Sequence, residues 1–407
     1  MNNSITNFLE IQGYKILESR ENFNKELIIK IEKKKLKNTC PECHKSKTSI
    51  HAYGKWRLKK HSNYQEKIIY FEVARNRIKC LRCGKVFSEE LPCIPKCSRK
   101  TNNFEIQSLN YLSKNSFNEV GRVNKVSYGT LKEQLYRYVN PYELLGDKIK
   151  KLNSLENIYL GLDGQSFRKS EMMLTITEVK IKEPITILPT ERQSDLLRFI
   201  ERLSPEIRQK VAGIAVDMTN KHLKLLREYF PNALIVIDHY HVIQNAIQHL
   251  QKIRTIIQSA RKISIPIKKE LEKNYEDLTE AEKKKLLKYF IMFPGLKEAY
   301  KTKEEVRSLY RIATWEKAAQ KIKCIKSKLL ASKNMELIEM GKTLTNWETE
   351  ILNYFKCRIT NAYTEGLHTK CKLIKRKSFG FRNVQTYVRK LLLGLIPLIT
   401  ILSLHTF

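Results

Sequence analysis

Two cysteine pairs near the start of the chain restrict its fold more than any other feature. Cys40-Pro-Glu-Cys43 and Cys80-Leu-Arg-Cys83 each leave two residues between thiols, a spacing at which one turn of backbone aims both sulfurs at a single tetrahedral ion. Two such turns complete the ligand set. The pattern therefore predicts one closed, structural zinc held by Cys40, Cys43, Cys80 and Cys83, with no open position for catalysis. The alternative is four unliganded buried cysteines. The stretch between the pairs exceeds the roughly 15 to 20 residues of a compact ribbon, and the strand-like run KIIYFEVARNRIK is expected to fill it as a hairpin. His44 and His51 are available to replace one thiolate, whereas Cys93 and Cys97, spaced Cys-x3-Cys, read as ordinary thiols.

In a reducing compartment two Cys-x-x-Cys pairs suggest metal binding before disulfides. The cysteines number nine, an odd count, and the opening MNNSITNFLEIQGYKILESR has no basic region leading into an apolar stretch and a small-residue cleavage site. A cytoplasmic chain is expected. The tail LLLGLIPLITILSLHTF, Leu391 to Phe407, falls short of the about 20 apolar residues that a bilayer core needs and contains Pro397, so it reads as a buried terminal helix and no membrane span. Charge then narrows the partners. Lys and Arg total 76 against 42 Asp and Glu, a net +34, well beyond what solubility requires, which points to a polyanion and first of all to nucleic acid.

A chain of 407 residues is expected to form two or three folding units, and changes in pattern mark out a multidomain α+β organisation in five segments. Residues 1–95 form a β-rich, zinc-binding module resembling a zinc ribbon, with the metal between 40 and 83. Residues 96–145 carry apolar residues three and four apart in NFEIQSLNYLSK, SFNEVGRVNK and VSYGTLKEQLYRYV, split by short polar breaks. Three short helices with tight turns fit a helix-turn-helix DNA-binding domain, in which Ser127 to Tyr138 is the recognition helix and Lys125, Lys132 and Arg137 meet phosphates and base edges; a plain three-helix spacer is the alternative. Residues 154–243 alternate strands (IYLGLD, MMLTITEV, PITILP, VAGIAVD, ALIVID) with helical stretches and read as an α/β domain with a mixed sheet. Residues 244–355 are a helical insertion, and residues 356–407 return to the α/β core.

Three acids at the ends of secondary elements are the candidates for chemistry. Asp163 is expected to end the strand IYLGLD, Asp217 to end VAGIAVD, and Glu365 to begin EGLHTKCKLIKR. Carboxylates shared between two divalent cations, magnesium or manganese, suit displacement at phosphorus. A single Asp after a strand is more often a turn residue or helix cap; the set carries the argument. No Asp or Glu follows Glu365, whereas Lys370, Lys372, Lys375, Arg376, Lys377, Arg382, Arg389 and Lys390 do, as expected beside a phosphate backbone. Asp238 is held in reserve for Asp217. The triplet His239-Tyr240-His241 offers a competing reading, two imidazoles on one face of a strand holding a metal in a nicking enzyme that works through a tyrosine, but it leaves the three acids without a role. His241 is instead expected to pack or hydrogen-bond near the sheet end.

At these residues the chain resembles a DDE transposase of bacterial insertion sequences, of the ISL3 family, over nearly its whole length. The resemblance is carried by CPEC and CLRCGKVF, by LGLDGQSFRKS, by AVDMTNKHLKLLREYFPNALIVIDHYHVI, and by NAYTEGLHTKCKLIKRKSFGFRNV. It implies a zinc-binding ribbon and a helix-turn-helix ahead of a ribonuclease H-like catalytic domain with a helical insertion. Asp163, Asp217 and Glu365 then take the first, second and third acidic positions. Asp217 is preferred to Asp238 because it ends the fourth strand counted from Ile158. The implied activity is binding of terminal inverted repeats, followed by cleavage and strand transfer with two Mg2+ or Mn2+ ions. The partners would be double-stranded element ends and target DNA, met as at least a dimer by a cytoplasmic, nucleoid-associated protein. A zinc and helix-turn-helix regulator without catalytic activity is the alternative. Two positions depart from the family. Gly164 follows the first Asp where an acid is usual, and Leu367-His368 follow Glu365-Gly366 where Asn is common.

Overall fold

A computed structural model describes residues 13–34, 38–64, 67–218 and 221–405. Residues 1–12 of the opening segment and the last two of the apolar tail lie outside these. The chain divides into two compact units, residues 1–144 with 371–407, and residues 145–370. This division cuts across the five segments expected from sequence, because residues 371–407 fall with the first unit.

The first unit holds two sheets. Strands β1 (Tyr14–Glu21), β2 (Leu27–Lys33), β4 (Trp56–Tyr64) and β5 (Lys67–Ala74) form one, in the order β1-β2-β5-β4, with β2 and β5 parallel. Alternation along β5 turns Ile69, Phe71 and Val73 inward against Tyr14, Ile29, Ile31, Leu91 and Ile94, as the period of two in a strand dictates. Strands β3 (Thr48–Ala52), β6 (Arg77–Cys80) and β7 (Val86–Ser88) form the second, in the order β3-β6-β7. The expected hairpin over KIIYFEVARNRIK is therefore replaced. Its first half is β5 and its second half is β6, and they belong to different sheets because β5 finds partners in β2 and β4 that the gap alone could not reveal.

Helices Asn102–Lys114, Phe117–Asn124 and Tyr128–Tyr138 follow, capped by Thr101, Ser116 and Ser127, whose hydroxyls accept backbone N–H groups of the first turn. Such caps replace hydrogen bonds that the helix start cannot make for itself. Leu109, Leu112, Val120, Leu131 and Leu135 are buried. Helix Val384–Leu395 packs in this same unit: Tyr136 Oη lies 2.9 Å from Thr386 Oγ1, and Lys390 Nζ donates to the Asn115 carbonyl at 2.9 Å. Pro397 separates it from the short helix Leu398–Leu402, and none of the described helices is long and apolar enough to cross a membrane. Lys390 leaves the expected basic surface altogether: it is 1% exposed, and burial lowers its pKa to about 8.

The second unit is built on one five-stranded sheet of β8 (Ile158–Arg168), β9 (Glu171–Glu178), β10 (Glu183–Leu188), β11 (Val211–Val216) and β12 (Leu234–Ile237), in the order β10-β9-β8-β11-β12. The first three strands are antiparallel, while β8, β11 and β12 run parallel. From helix His239–Arg261 to helix Glu348–Cys357 the described chain is helical and contains no strand. The last of these helices returns to the sheet, where Asn353 Nδ2 donates to the Ile235 carbonyl of β12 at 2.9 Å. Helix Ala362–Lys377 begins next and spans the boundary between the two units.

Candidate active site and metal centre

The sheet of the second unit brings two of the acids level. The parallel register pairs Ala215 of β11 with Gly161 of β8; carried on by two residues, it sets Asp217 beside Asp163. Asp217 directly follows β11, as expected, but Asp163 does not end its strand. β8 runs on to Arg168, and Asp163 pairs across to Thr175 of β9, because an antiparallel hairpin continues the strand beyond the acid. The third acid, Glu365, sits in the first turn of helix Ala362–Lys377.

Buried Asn361 anchors that helix to the sheet. Its Nδ2 donates to the Leu162 carbonyl at 3.1 Å, and its backbone N–H donates to Asp238 Oδ2. Thr364 Oγ1 lies 2.7 Å from Thr177 Oγ1. Gly161 permits this approach, since a Cβ there would fall 2.7 Å from Asn361 Oδ1 and 2.8 Å from Thr177 Oγ1. Asp238 is 2% exposed, and its other oxygen accepts the Tyr240 N–H at 2.8 Å. Both its oxygens thus serve backbone groups, as an N-cap and as a tether for the neighbouring helix.

The triplet His239-Tyr240-His241 lies in the first turn of helix His239–Arg261. The strand geometry of the competing reading is absent, because residues two apart on a helix point to different faces. His241 turns toward the acids: it opposes the rise in pKa at both Asp163 and Glu365, and its Nε2 is buried without a hydrogen bond.

Electrostatics tie the three acids together. Burial above all, with the charges of Asp217 and Glu365 adding to it and His241 opposing it, raises the Asp163 pKa to about 6. Glu365 is also raised, by burial first and by Asp238 next. Among the described residues, the four cysteines are the only set of three or more His, Cys, Asp or Glu whose ligating atoms all come within 4.8 Å, so the three acids stand wider than that. Carboxylates held together against burial and mutual repulsion are nonetheless the setting that a hard divalent cation relieves, and the donor set fits one.

An expected result follows for protein prepared without magnesium or manganese. A carboxyl group raised from 3.8 to about 6 contributes stability below pH 4 that is lost as the pH climbs through 6, on the order of 2 to 3 kcal/mol. Asp163→Asn removes that loss. Its thermal midpoint should exceed that of the native chain at pH 7 and match it below pH 4; equal midpoints at both pH values would contradict the assignment.

Sequence reasoning missed Glu191 and His368. A Cβ at Gly164 would fall 1.8 Å from Glu191 Oε1, so this carboxylate fills the space beside the first acid while pairing with Lys221 at 3.1 Å. No local pattern signals it. His368 Nδ1 lies 3.3 Å from Asp163 Oδ2, and its position three residues after Glu365 on a helix is the signal that could have found it.

In the first unit the cysteines converge. Cys40 and Cys83 sulfurs are 3.6 Å apart, as are those of Cys43 and Cys80, close to the about 3.8 Å edge of a tetrahedron with 2.3 Å metal–sulfur arms. The two turns share one design. Cys40 N–H bonds the Lys45 carbonyl and Cys80 N–H the Lys85 carbonyl, while His44 and Gly84 take the same left-handed position in each. Backbone N–H groups of Cys83 and Arg82 lower the Cys80 thiol to about 6. Neither His44 nor His51 joins the cluster, and Cys93 and Cys97 stay outside it.

The basic residues divide. Lys370, Lys372, Arg376, Lys377 and Arg382 are exposed and Lys375 is half-buried. Lys132 lies over the Tyr136 ring. Lys125 and Arg137 are committed within the chain, Lys125 to Glu26 at 2.7 Å and Arg137 to Glu105 at 3.2 Å, acids that sequence proximity could not identify.

Comparison with known proteins identifies the family. The family model for DDE transposases of the ISL3 type, described as transposase, matches residues 160–391, and the chain belongs to that family. The transposase for insertion sequence element IS1001 of Bordetella parapertussis is 20% identical over 370 residues, covering 86% of this chain and 87% of that protein. The matched segment contains Asp163, Asp217 and Glu365. The family makes the chain a transposase, an enzyme acting on DNA, with divalent-metal use implied, and the four-cysteine cluster is consistent with zinc.

Proposed function

We propose that this transposase binds the terminal inverted repeats of its own insertion sequence, cuts there, and joins the freed 3′ hydroxyls to target DNA. The observation that carries the reading is the strand register that sets Asp217 beside Asp163, with the Glu365 helix anchored to the same sheet through Asn361, so that three acids far apart in sequence face one another. The sheet order, with the second acid after the fourth strand, supports a ribonuclease H-like core interrupted by a helical insertion. Asp163, Asp217 and Glu365 supply hard oxygen donors for two magnesium or manganese ions, and Asp238 holds the helix that presents Glu365. When bound, such a pair supplies activation of the attacking oxygen and stabilisation of the leaving one. The reaction is two successive displacements at phosphorus. Water attacks and a 3′ oxygen leaves; that 3′ hydroxyl then attacks a target phosphodiester, releasing another 3′ oxygen.

Zinc at Cys40, Cys43, Cys80 and Cys83 shapes the front end. The three short helices act as a helix-turn-helix, with half-buried Lys132 on the recognition helix. Lys370, Lys372, Lys375, Arg376, Lys377 and Arg382 grip phosphates, and two chains act together on paired ends. The test is incubation with DNA carrying the element's terminal repeats and either metal. Cleavage at the repeat boundary is expected; binding without cleavage in magnesium and in manganese would favour a regulator.

A further inference from the structure

We propose that His368 is the positioning residue of the metal site, fixing the orientation of the Asp163 carboxylate and locking the Glu365 helix to the same strand pair. The inference rests on the reading of Asp163 and Glu365 as metal ligands. His368 is nearly buried, with 8% of its side chain exposed, and both ring nitrogens face polar groups: Nδ1 lies 3.3 Å from Asp163 Oδ2 and Nε2 lies 2.9 Å from Thr175 Oγ1. Gln165 Nε2 donates to that same threonine oxygen at 3.0 Å. Donor direction is then consistent along the chain. The Gln165 amide donates to Thr175, the Thr175 hydroxyl donates to Nε2, and the remaining proton is left on Nδ1, the nitrogen 3.3 Å from Asp163 Oδ2.

Three separate elements are joined in this way. Gln165 and Asp163 lie on β8, Thr175 lies opposite Asp163 on β9, and His368 stands one helical turn beyond Glu365. The helical spacing of three places His368 and Glu365 on one face, so one helix delivers a candidate ligand and the group that orients another. Asp163 has one oxygen 3.3 Å from the imidazole, and its carboxylate also accepts the Gly164 backbone N–H. Groups that orient metal ligands in this manner typically change metal affinity by 10- to 100-fold when lost.

The test is Mn2+ binding to the full-length, zinc-loaded chain, followed by electron paramagnetic resonance and paired with circular dichroism. His368→Ala should weaken Mn2+ binding by about 10- to 100-fold. His368→Asn keeps a donor at the Nδ1 position and should stay within about threefold of native, whereas His368→Gln keeps only the Nε2 side and should behave like the alanine variant. A packing role would not separate Asn from Gln, so equal effects of these two overturn the inference, as does native affinity in His368→Ala. Asp163→Asn is the control for the underlying reading. If it also binds Mn2+ as the native chain does, the metal-site assignment itself fails; if it loses binding while the His368 variants do not, only the positioning role fails.

Discussion

Asp163→Asn, Asp217→Asn and Glu365→Gln are each expected to cut element-end DNA at least about a thousandfold more slowly than the native chain while still binding it. Each exchange keeps the size of the side chain and removes one negative oxygen donor. A cation clamp contributes several kcal/mol of transition-state stabilisation, and every 1.36 kcal/mol is a factor of ten in rate, which sets the scale of the loss. Binding should persist because Lys370, Lys372, Arg376 and Lys377 are untouched and exposed, and because phosphate contacts dominate affinity. Cleavage of labelled repeat DNA across a magnesium titration, beside a mobility-shift assay, measures both. A variant that keeps a tenth or more of native activity is not a ligand. Were that variant Asp217→Asn, attention would move to Asp238, whose two oxygens already accept the N–H groups of Tyr240 and Asn361.

Removing zinc should unfold the β3-β6-β7 ribbon and leave the neighbouring sheet standing. Its strands have only 5, 4 and 3 residues, and of their apolar side chains Ile78 is buried while Ile50 is half exposed. That is too little apolar surface to hold three short strands. The sheet β1-β2-β5-β4 keeps its own core of Tyr14, Ile29, Ile31, Phe71 and Val73. Structural zinc contributes about 10 to 16 kcal/mol in small zinc-dependent folds, so the ribbon's order is expected to depend on it. One zinc per chain by elemental analysis is expected, together with loss of amide protection in β3, β6 and β7 on chelation or in Cys40→Ser. Protection unchanged in metal-free protein would count against a structural ion.

Much of the local organisation was legible in the residues. The spacing of two between thiols, the alternation in β5 and the Ser and Thr caps of the three short helices act within a few positions of the chain, so they can be read without a fold. The splitting of KIIYFEVARNRIK between two sheets was not legible, since it depends on β2 and β4 as partners for β5. Lys390 looked like part of a basic surface until its helix packed beside Asn115, and Lys125 and Arg137 looked available until Glu26 and Glu105 met them. Asp163 seemed to end a strand because nothing in IYLGLD announces that β9 will extend the pairing past it.

The sequence by itself determined the paired cysteine turns and where strands and helices alternate, because thiol spacing, side-chain periodicity and capping are short-range chemistry. Only the tertiary structure decided which acids become neighbours, that Asp238 is spent on two backbone N–H groups, and that His368 reaches Asp163. Those outcomes follow from the parallel register of β8 with β11 and from the docking of one helix through Asn361, contacts whose partners are separated by long stretches of chain and carry no local signature.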